Sequence, residues 1–283
     1  MRARLVSFAV TVLLAACQQE PPARQYELQG QILGIEPSRN EVLIKHDDIK
    51  GFMPAMRMPF TVKDAGLLSG KQPGDLVTAT LVVGETNAYL SSLTRTGHAP
   101  LDAAPAPVPV AVLVPGDALP DAALVDQDAQ PRQFSSFRGH RVALTFIYTR
   151  CPLPEFCPLM DRHFVAVQKA LQGDAGMRDV RLVTMTLDPE FDKPAVMKQH
   201  AARLKADPAI WSFLTGDPKE VEAFSHKLGI YTERDPGTGA NLTHNLRTAV
   251  IDAEGRLATV HSGNDWTPAD LVADLKKISA PAH

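Results

Sequence analysis

The sequence predicts two domains, a small all-β domain followed by a larger α/β domain, and three observations carry this. Residues 98–118 hold four prolines between positions 100 and 109. Such a stretch favours extended polyproline II over sheet interior or stable helix, so it divides the chain as a semi-rigid spacer. Before it, over about 26–97, short alternating apolar runs are broken by glycine and proline turns. After it, over about 119–280, buried-strand patterns alternate with helical ones.

In the small domain Tyr26 to Ile35 alternates in part and is interrupted by Gly30 and Gly34. Ser38-Arg39-Asn40 is a turn, and Glu41 to His46 is a strand. Phe60-Thr61-Val62, Leu76 to Val83 and Ala88 to Leu93 read as further strands, with a turn at Lys71 to Asp75. Five short strands in about seventy residues predict a small closed barrel of OB-like type.

In the large domain Val142 to Tyr148 is a continuous apolar run, a buried strand. Met160, Phe164, Val167 and Leu171 recur at helical spacing. Val180 to Leu187 is a second strand. Pro194 opens a helix to Leu204, Trp211 to Thr215 is a short strand, and Lys219 to Leu228 is a helix. Arg247 to Asp252 and Leu257 to His261 form a hairpin, and Thr267 caps a last helix with Pro268 at its first position. The order β-α-β-α-β-α-β-β-α, with two cysteines just after a strand and before a helix, is that of a thioredoxin-like domain.

The chain has 283 residues, 45% hydrophobic and 22% charged, which excludes extensive disorder. With 29 basic and 32 acidic side chains the net charge is −3, so it lacks the basic surplus of a nucleic-acid binder. Three cysteines are too few for a disulfide scaffold, and their odd number needs a separate cause. The N-terminus supplies it. Arg2 and Arg4 precede an apolar run, Leu5 to Leu14, too short to span a bilayer as a mature helix. Residues 1–16 read as a signal peptide. Leu14-Ala15-Ala16-Cys17 resembles the bacterial lipobox, which implies cleavage before Cys17 and a lipid on its thiol. Residues 17–25 then form a tether, and the protein is expected in the bacterial cell envelope, periplasmic and lipid-anchored. That compartment is oxidising.

Two segments carry chemistry. In the first, Met53-Pro54-Ala55-Met56-Arg57-Met58-Pro59-Phe60, three of the eight methionines fall within six residues. On a strand Met56 and Met58 share a face. They are either core residues or, with His46 on the neighbouring strand, a soft ligand set suited to Cu(I). His46 followed by this run resembles the CusF-like periplasmic copper-binding domain across most of 26–97. The resemblance implies His46, Met56 and Met58 as Cu(I) ligands. The chain departs from it at Met53, where well-known members carry a tryptophan over the metal. Met53 could be a fourth thioether, or Phe52 the aromatic lid.

The second segment is Cys151-Pro152-Leu153-Pro154-Glu155-Phe156-Cys157, with five residues between the thiols. In one continuous helix these cysteines would sit about 9 Å apart along the axis on different faces, and three nearby prolines make the stretch a loop. Pro158 suits the first helical position, which makes Cys157 the N-cap and predicts a lowered thiol pKa. The pair is a redox couple, two thiolate ligands or an inert disulfide. In a thioredoxin-like fold the segment before the hairpin lies beside the cysteine loop, and oxidoreductases usually carry a proline there. This chain has His244 instead, which favours a metal.

The large domain resembles the Sco/SenC family of copper chaperones. The matching pieces are Thr145 to Pro152, Cys157-Pro158, Leu187-Asp188-Pro189-Glu190-Phe191-Asp192, Trp211, Leu214-Thr215-Gly216, and His244 ahead of Ala249 to Leu257. The resemblance implies copper, as Cu(I) or Cu(II), held by Cys151, Cys157 and His244. The family's common spacing has three residues between the cysteines, and this chain has five. Asp188 and Asp192 match an acidic motif near that site, and read equally as a helix N-terminal signal. Arg150 could lower a thiolate pKa or be a surface charge. His98 and His283 fall in spacer and tail, and His140, His163, His200, His226 and His261 belong to no spaced cluster.

Together these readings imply a metallochaperone rather than an enzyme. It would pass copper to cytochrome c oxidase, at its dinuclear copper centre, with that oxidase subunit or other periplasmic copper chaperones as partners. The tether and spacer would keep the two copper sites near each other and the membrane. The competing readings are a thiol–disulfide reductase acting on a partner's copper-site cysteines, and copper buffering for tolerance.

Overall fold

The computed structural model describes residues 23–53, 55–85, 87–101, 112–234 and 242–278. The signal segment, Cys17 and most of the tether lie outside the described residues, as do Pro54 and residues 102–111.

Five strands build the small domain: β1 (Arg24–Glu36), β2 (Glu41–His46), β3 (Met56–Thr61), β4 (Asp75–Val83) and β5 (Ala88–His98). They form one antiparallel sheet in the order β3-β2-β1-β4-β5. Strict alternation on β2 and β3 turns Val42, Ile44 and His46, and Met56, Met58 and Phe60, to the buried face. Pro59 is tolerated because β3 is the edge strand, where a missing N–H breaks no ladder on the open side. Gly30 pairs with His46 across the sheet, and a Cβ there would stand 2.5 Å from the Lys45 carbonyl oxygen and 2.8 Å from His46 Cα. Only glycine allows β2 to come that close.

The all-β expectation holds, and no closed barrel is detected among the described residues. Among the described residues β3 and β5 share no ladder; the sheet edges meet at a bridge between Val62 and Leu90, where Lys63 N–H donates to the Leu90 carbonyl at 2.9 Å. His98 also departs from expectation. It ends β5 with Nδ1 3.0 Å from the buried carboxylate of Asp75, rather than lying free in the spacer.

The large domain contains β6 (Ala123–Asp126), β7 (Pro131–Gln133), β8 (Val142–Ile147), α1 (Cys157–Gln172), β9 (Arg181–Thr186), α2 (Pro194–Leu204), β10 (Trp211–Gly216), α3 (Pro218–Lys227), β11 (Thr232–Arg234), β12 (Leu242–His244), β13 (Arg247–Ile251), β14 (Leu257–Ser262) and α4 (Pro268–Lys277). Seven strands make one sheet in the order β14-β13-β8-β9-β10-β6-β7, and β11 and β12 pair separately. Strands β8, β9 and β10 run parallel, joined through α1 and α2, and every residue of β8 is buried. Thr267 and Asp270 close a reciprocal capping box at α4. The β6–β7 and β11–β12 pairs escape periodicity because each strand has only three or four residues. No described helix is long and apolar enough to cross a membrane.

Candidate metal centres

Topology brings the cysteines and His244 together. Strands β8 and β13 are antiparallel neighbours, with Thr145 opposite Thr248. The cysteine loop leaves the C-terminal end of β8, and His244 lies three residues ahead of the N-terminal end of β13. Both therefore emerge at one end of the sheet. Cys157 Sγ lies 3.7 Å from His244 Nε2. Around a trigonal d10 ion, a thiolate at about 2.3 Å and an imidazole at about 2.0 Å stand about 3.7 Å apart. Both cysteines are free thiols, in hydrogen-bonding contact. Among the described residues no three His, Cys, Asp or Glu side chains are already closed round one point. Cys151 lines the same cavity as His244.

The imidazole is prepared for a soft cation. Its Nδ1 lies 3.0 Å from the Asn245 carbonyl oxygen, which can only accept. The proton therefore sits on Nδ1, and Nε2 offers its lone pair toward Cys157. Burial pulls the His244 pKa down to about 4, so the ring is neutral at physiological pH.

The thiols differ in the opposite sense to the sequence expectation. Helix α1 begins at Cys157, so Phe156 is the N-cap. Cys157 is 2% exposed, and burial pushes its pKa well up. Cys151 is the lowered one, at about 7. The neighbouring Cys157 thiol favours its thiolate most, followed by the backbone N–H groups of Leu153 and Cys157 and the Tyr148 hydroxyl, while as a thiol its Sγ stands 4.0 Å from the Leu153 carbonyl oxygen. The backbone N–H that opens α1, that of Cys157, thus stabilises the other sulfur, while the Cys157 thiol sits too deep to benefit. Tyr148, whose ring also meets His244 edge-on at 5.6 Å, is a site residue that sequence reasoning left without a role.

Asp188 and Asp192 do not cap α2, whose N-cap is Lys193. Both are buried. Asp192 accepts from Thr149 N–H at 3.0 Å, from the Thr149 hydroxyl and from the Thr186 hydroxyl at 2.6 Å. Asp188 accepts from Arg150, whose guanidinium lies 4.0 Å over the Phe191 ring. The acidic motif fixes Thr149 and Arg150, and so the point where Cys151 leaves the sheet. Of the other histidines, His200 is 6% exposed and stands 3.0 Å from Asp161.

The small domain gathers the other set. His46 faces Met56 directly across β2 and β3, and Met58 lies opposite Ile44 on the same buried face. His46 Nδ1 is 2.7 Å from the Asp47 carbonyl, so it carries the proton, and Nε2 is a buried nitrogen with no partner. Burial also lowers the His46 pKa. An orphaned imidazole nitrogen beside two thioethers fits Cu(I). Met53 is buried in the same core, bridged through Ile49. The Phe52 ring stacks on Tyr26 at 4.4 Å, and the ring edge-on to His46 is Phe60. Met56, Met58, Cys151 and His244 line one cavity between the domains.

The SCO1/SenC family model matches residues 117–280, and the model of the copper-binding periplasmic protein CusF matches 25–95. The SCO1 protein homolog of Bacillus subtilis is 30% identical over 156 residues, 54% of this chain and 79% of that protein. The mitochondrial SCO2 homolog of Mus musculus is 26% identical over 166 residues, 58% of this chain and 63% of that protein. Among solved structures, a SCO1/SenC family lipoprotein from Bacillus anthracis matches with TM-score 0.52 and 25% identity, covering 59% of this chain and 99% of that one. BsSco, described with a disulfide switch and as a member of the Sco family of cytochrome c oxidase assembly proteins, matches with TM-score 0.50 and 28% identity, covering 59% and 96%.

Proposed function

Because the chain belongs to the SCO1/SenC family, we propose that it is a periplasmic copper chaperone that delivers copper for assembly of the dinuclear copper centre of cytochrome c oxidase. Copper is its cargo. The large-domain ligands are Cys151, Cys157 and His244, and the small-domain Cu(I) ligands are His46, Met56 and Met58. Cys17 carries the lipid that holds the protein at the cell envelope.

The observation that carries this reading is the imidazole of His244. Its Nδ1 is tied to a backbone carbonyl, and its Nε2 stands at ligand spacing from Cys157. A pure thiol–disulfide enzyme has no use for that arrangement. The test is Cu(I) titration of the reduced protein against a colorimetric chelator. Wild type takes two equivalents and His244→Ala about one, with the methionine site intact; a stoichiometry of one in wild type overturns the reading. In cells, a deletion strain should lose oxidase activity and recover it with wild type but not with Cys157→Ala.

A second reading has its own support, since both thiols are free and Cys151 is lowered to about 7. As a reductase, the Cys151 thiolate would attack a partner disulfide and release one partner thiol. Cys157 would then displace the other, leaving a Cys151–Cys157 disulfide. Reduction of a model disulfide that survives His244→Ala favours this alternative.

A further inference from the structure

The residues between the two cysteines have a place of their own. Leu153 is 2% exposed, and its neighbours are those of the small domain: it joins the core that holds Met53, Met56, Met58 and Phe60. Phe156 packs against the cores of both domains. The Glu155 carboxylate comes near the backbone N–H of Ala88, the first residue of β5, and its Oε2 is buried with no hydrogen-bond partner among the described residues. On the other side the loop is pinned to its own domain. Arg162 donates to the Pro154 carbonyl at 2.8 Å, and Asn264 donates to the Glu155 carbonyl at 3.1 Å. Strand β12, which ends at His244, packs along β3, which carries Met56 and Met58.

We propose that residues 153–156 are a docking plug that seats the small domain on the cysteine loop, and that the cavity formed between them is a hand-over site where Cu(I) passes directly from Met56 and Met58 to Cys151 and His244. This rests on the copper-handling reading above and adds to it a route. It also gives the five-residue cysteine spacing a purpose. A shorter loop would still carry both thiols but would not reach the small-domain core.

The exchange balances without a redox partner. Copper remains Cu(I). The thioethers and the His46 imidazole release it as neutral donors. Each thiol that becomes a thiolate ligand loses one proton to solvent, and His244 binds through a nitrogen that carries none. Copper thus moves from a neutral to an anionic set of soft donors, which sets the direction from small domain to large. A tether alone offers an effective concentration in the millimolar range, with copper exposed to competitors during the search. A docked cavity removes the search.

The test uses the full mature chain. The Cys151–Cys157 disulfide form is loaded with one equivalent of Cu(I), which leaves the methionine set as its site. A phosphine then reduces the disulfide in the presence of bicinchoninate, and the copper intercepted by the chelator is read by absorbance. Wild type should keep its copper and develop thiolate–Cu(I) absorption. Leu153→Asp should lose about tenfold more to the chelator, while each site still binds Cu(I) in separate titration, and its radius of gyration in small-angle scattering should rise. Leu153→Ala is the second variant if the charged one fails to fold. Equal interception in wild type and variant, with both sites binding, overturns the plug and leaves the copper reading standing. Absence of Cu(I) binding at the cysteine set overturns both.

Discussion

Cys157 Sγ and His244 Nε2 stand 3.7 Å apart although 87 residues separate them in the chain. The antiparallel pairing of β8 with β13 puts their loops at one sheet end. The same device recurs in the small domain, where pairing of β2 with β3 sets His46 against Met56. Each histidine spends its Nδ1 proton on the carbonyl of the next residue, Asp47 or Asn245, which leaves Nε2 unpartnered in His46 and turned to Cys157 Sγ in His244.

The methionines are separable from the core they help to fill. Met→Leu conserves volume and costs less than about 1.5 kcal/mol, whereas Met→Ala in a core costs about 2–5 kcal/mol. Met58→Leu should therefore fold almost as stably as wild type and lose small-domain Cu(I) binding. Chemical denaturation and Cu(I) titration check it together; unchanged affinity would mean that Met58 only packs.

Copper binding should release protons in a pH-dependent number. Cys151 titrates at about 7, and Cys157 is held protonated well above that. At pH 6 both thiols lose a proton to copper. At pH 8 Cys151 has already lost its own, so release falls from about two protons to about one per copper at the large domain. Calorimetry in buffers of different ionisation enthalpy measures the difference. His244, lowered to about 4, adds nothing in this range.

Asp192 should matter for stability and for copper at once. Asp192→Ala strands the Thr149 N–H and two hydroxyls that now bond to it. Each buried unsatisfied group costs about 1–3 kcal/mol, and the hydroxyls can turn to other partners, so a loss of about 3 kcal/mol in urea unfolding is expected. Copper affinity at the large domain should fall about 10–100-fold as the loop loosens, in the manner of other supporting contacts behind metal ligands. A stable variant with unchanged affinity would sink the positioning role.

Glu155 makes the domain contact pH-sensitive. Burial raises its pKa from 4.5 to about 7. In that window the folded state binds more protons than the unfolded one, so this group's contribution to stability falls as the pH rises from about 4.5 to about 7. Glu155→Gln removes the penalty of burying a charge there. The variant should gain on wild type in thermal unfolding at pH 8 relative to pH 5; equal differences at both pH values would refute the assignment.

Much of this was legible without coordinates. Alternation marked β2, and the run of apolar residues marked β8. The helical spacing of Met160, Phe164, Val167 and Leu171 marked α1, because one helix face must be apolar to meet the sheet. Thr267 followed by Pro268 placed the start of α4. These signals are local, and a single sequence carries them. The ligand-type residues were legible for the same reason: Met56 and Met58 are two apart on a strand, and the thiols flank a proline loop. His98 was misread because its partner, Asp75, is 23 residues away and nothing local announces it.

The sequence by itself therefore determined the two domains, their strands and helices, and the donor types available to a soft metal. Tertiary structure alone decided which thiol is lowered, since burial of Cys157 overrides its place at the start of α1 while its backbone N–H serves Cys151. It also decided that Asp188 and Asp192 brace the loop, and that Leu153 leaves its own domain to fill the other. Desolvation and long-range contact depend on what covers a side chain, and that is set only when distant strands pair and the domains meet.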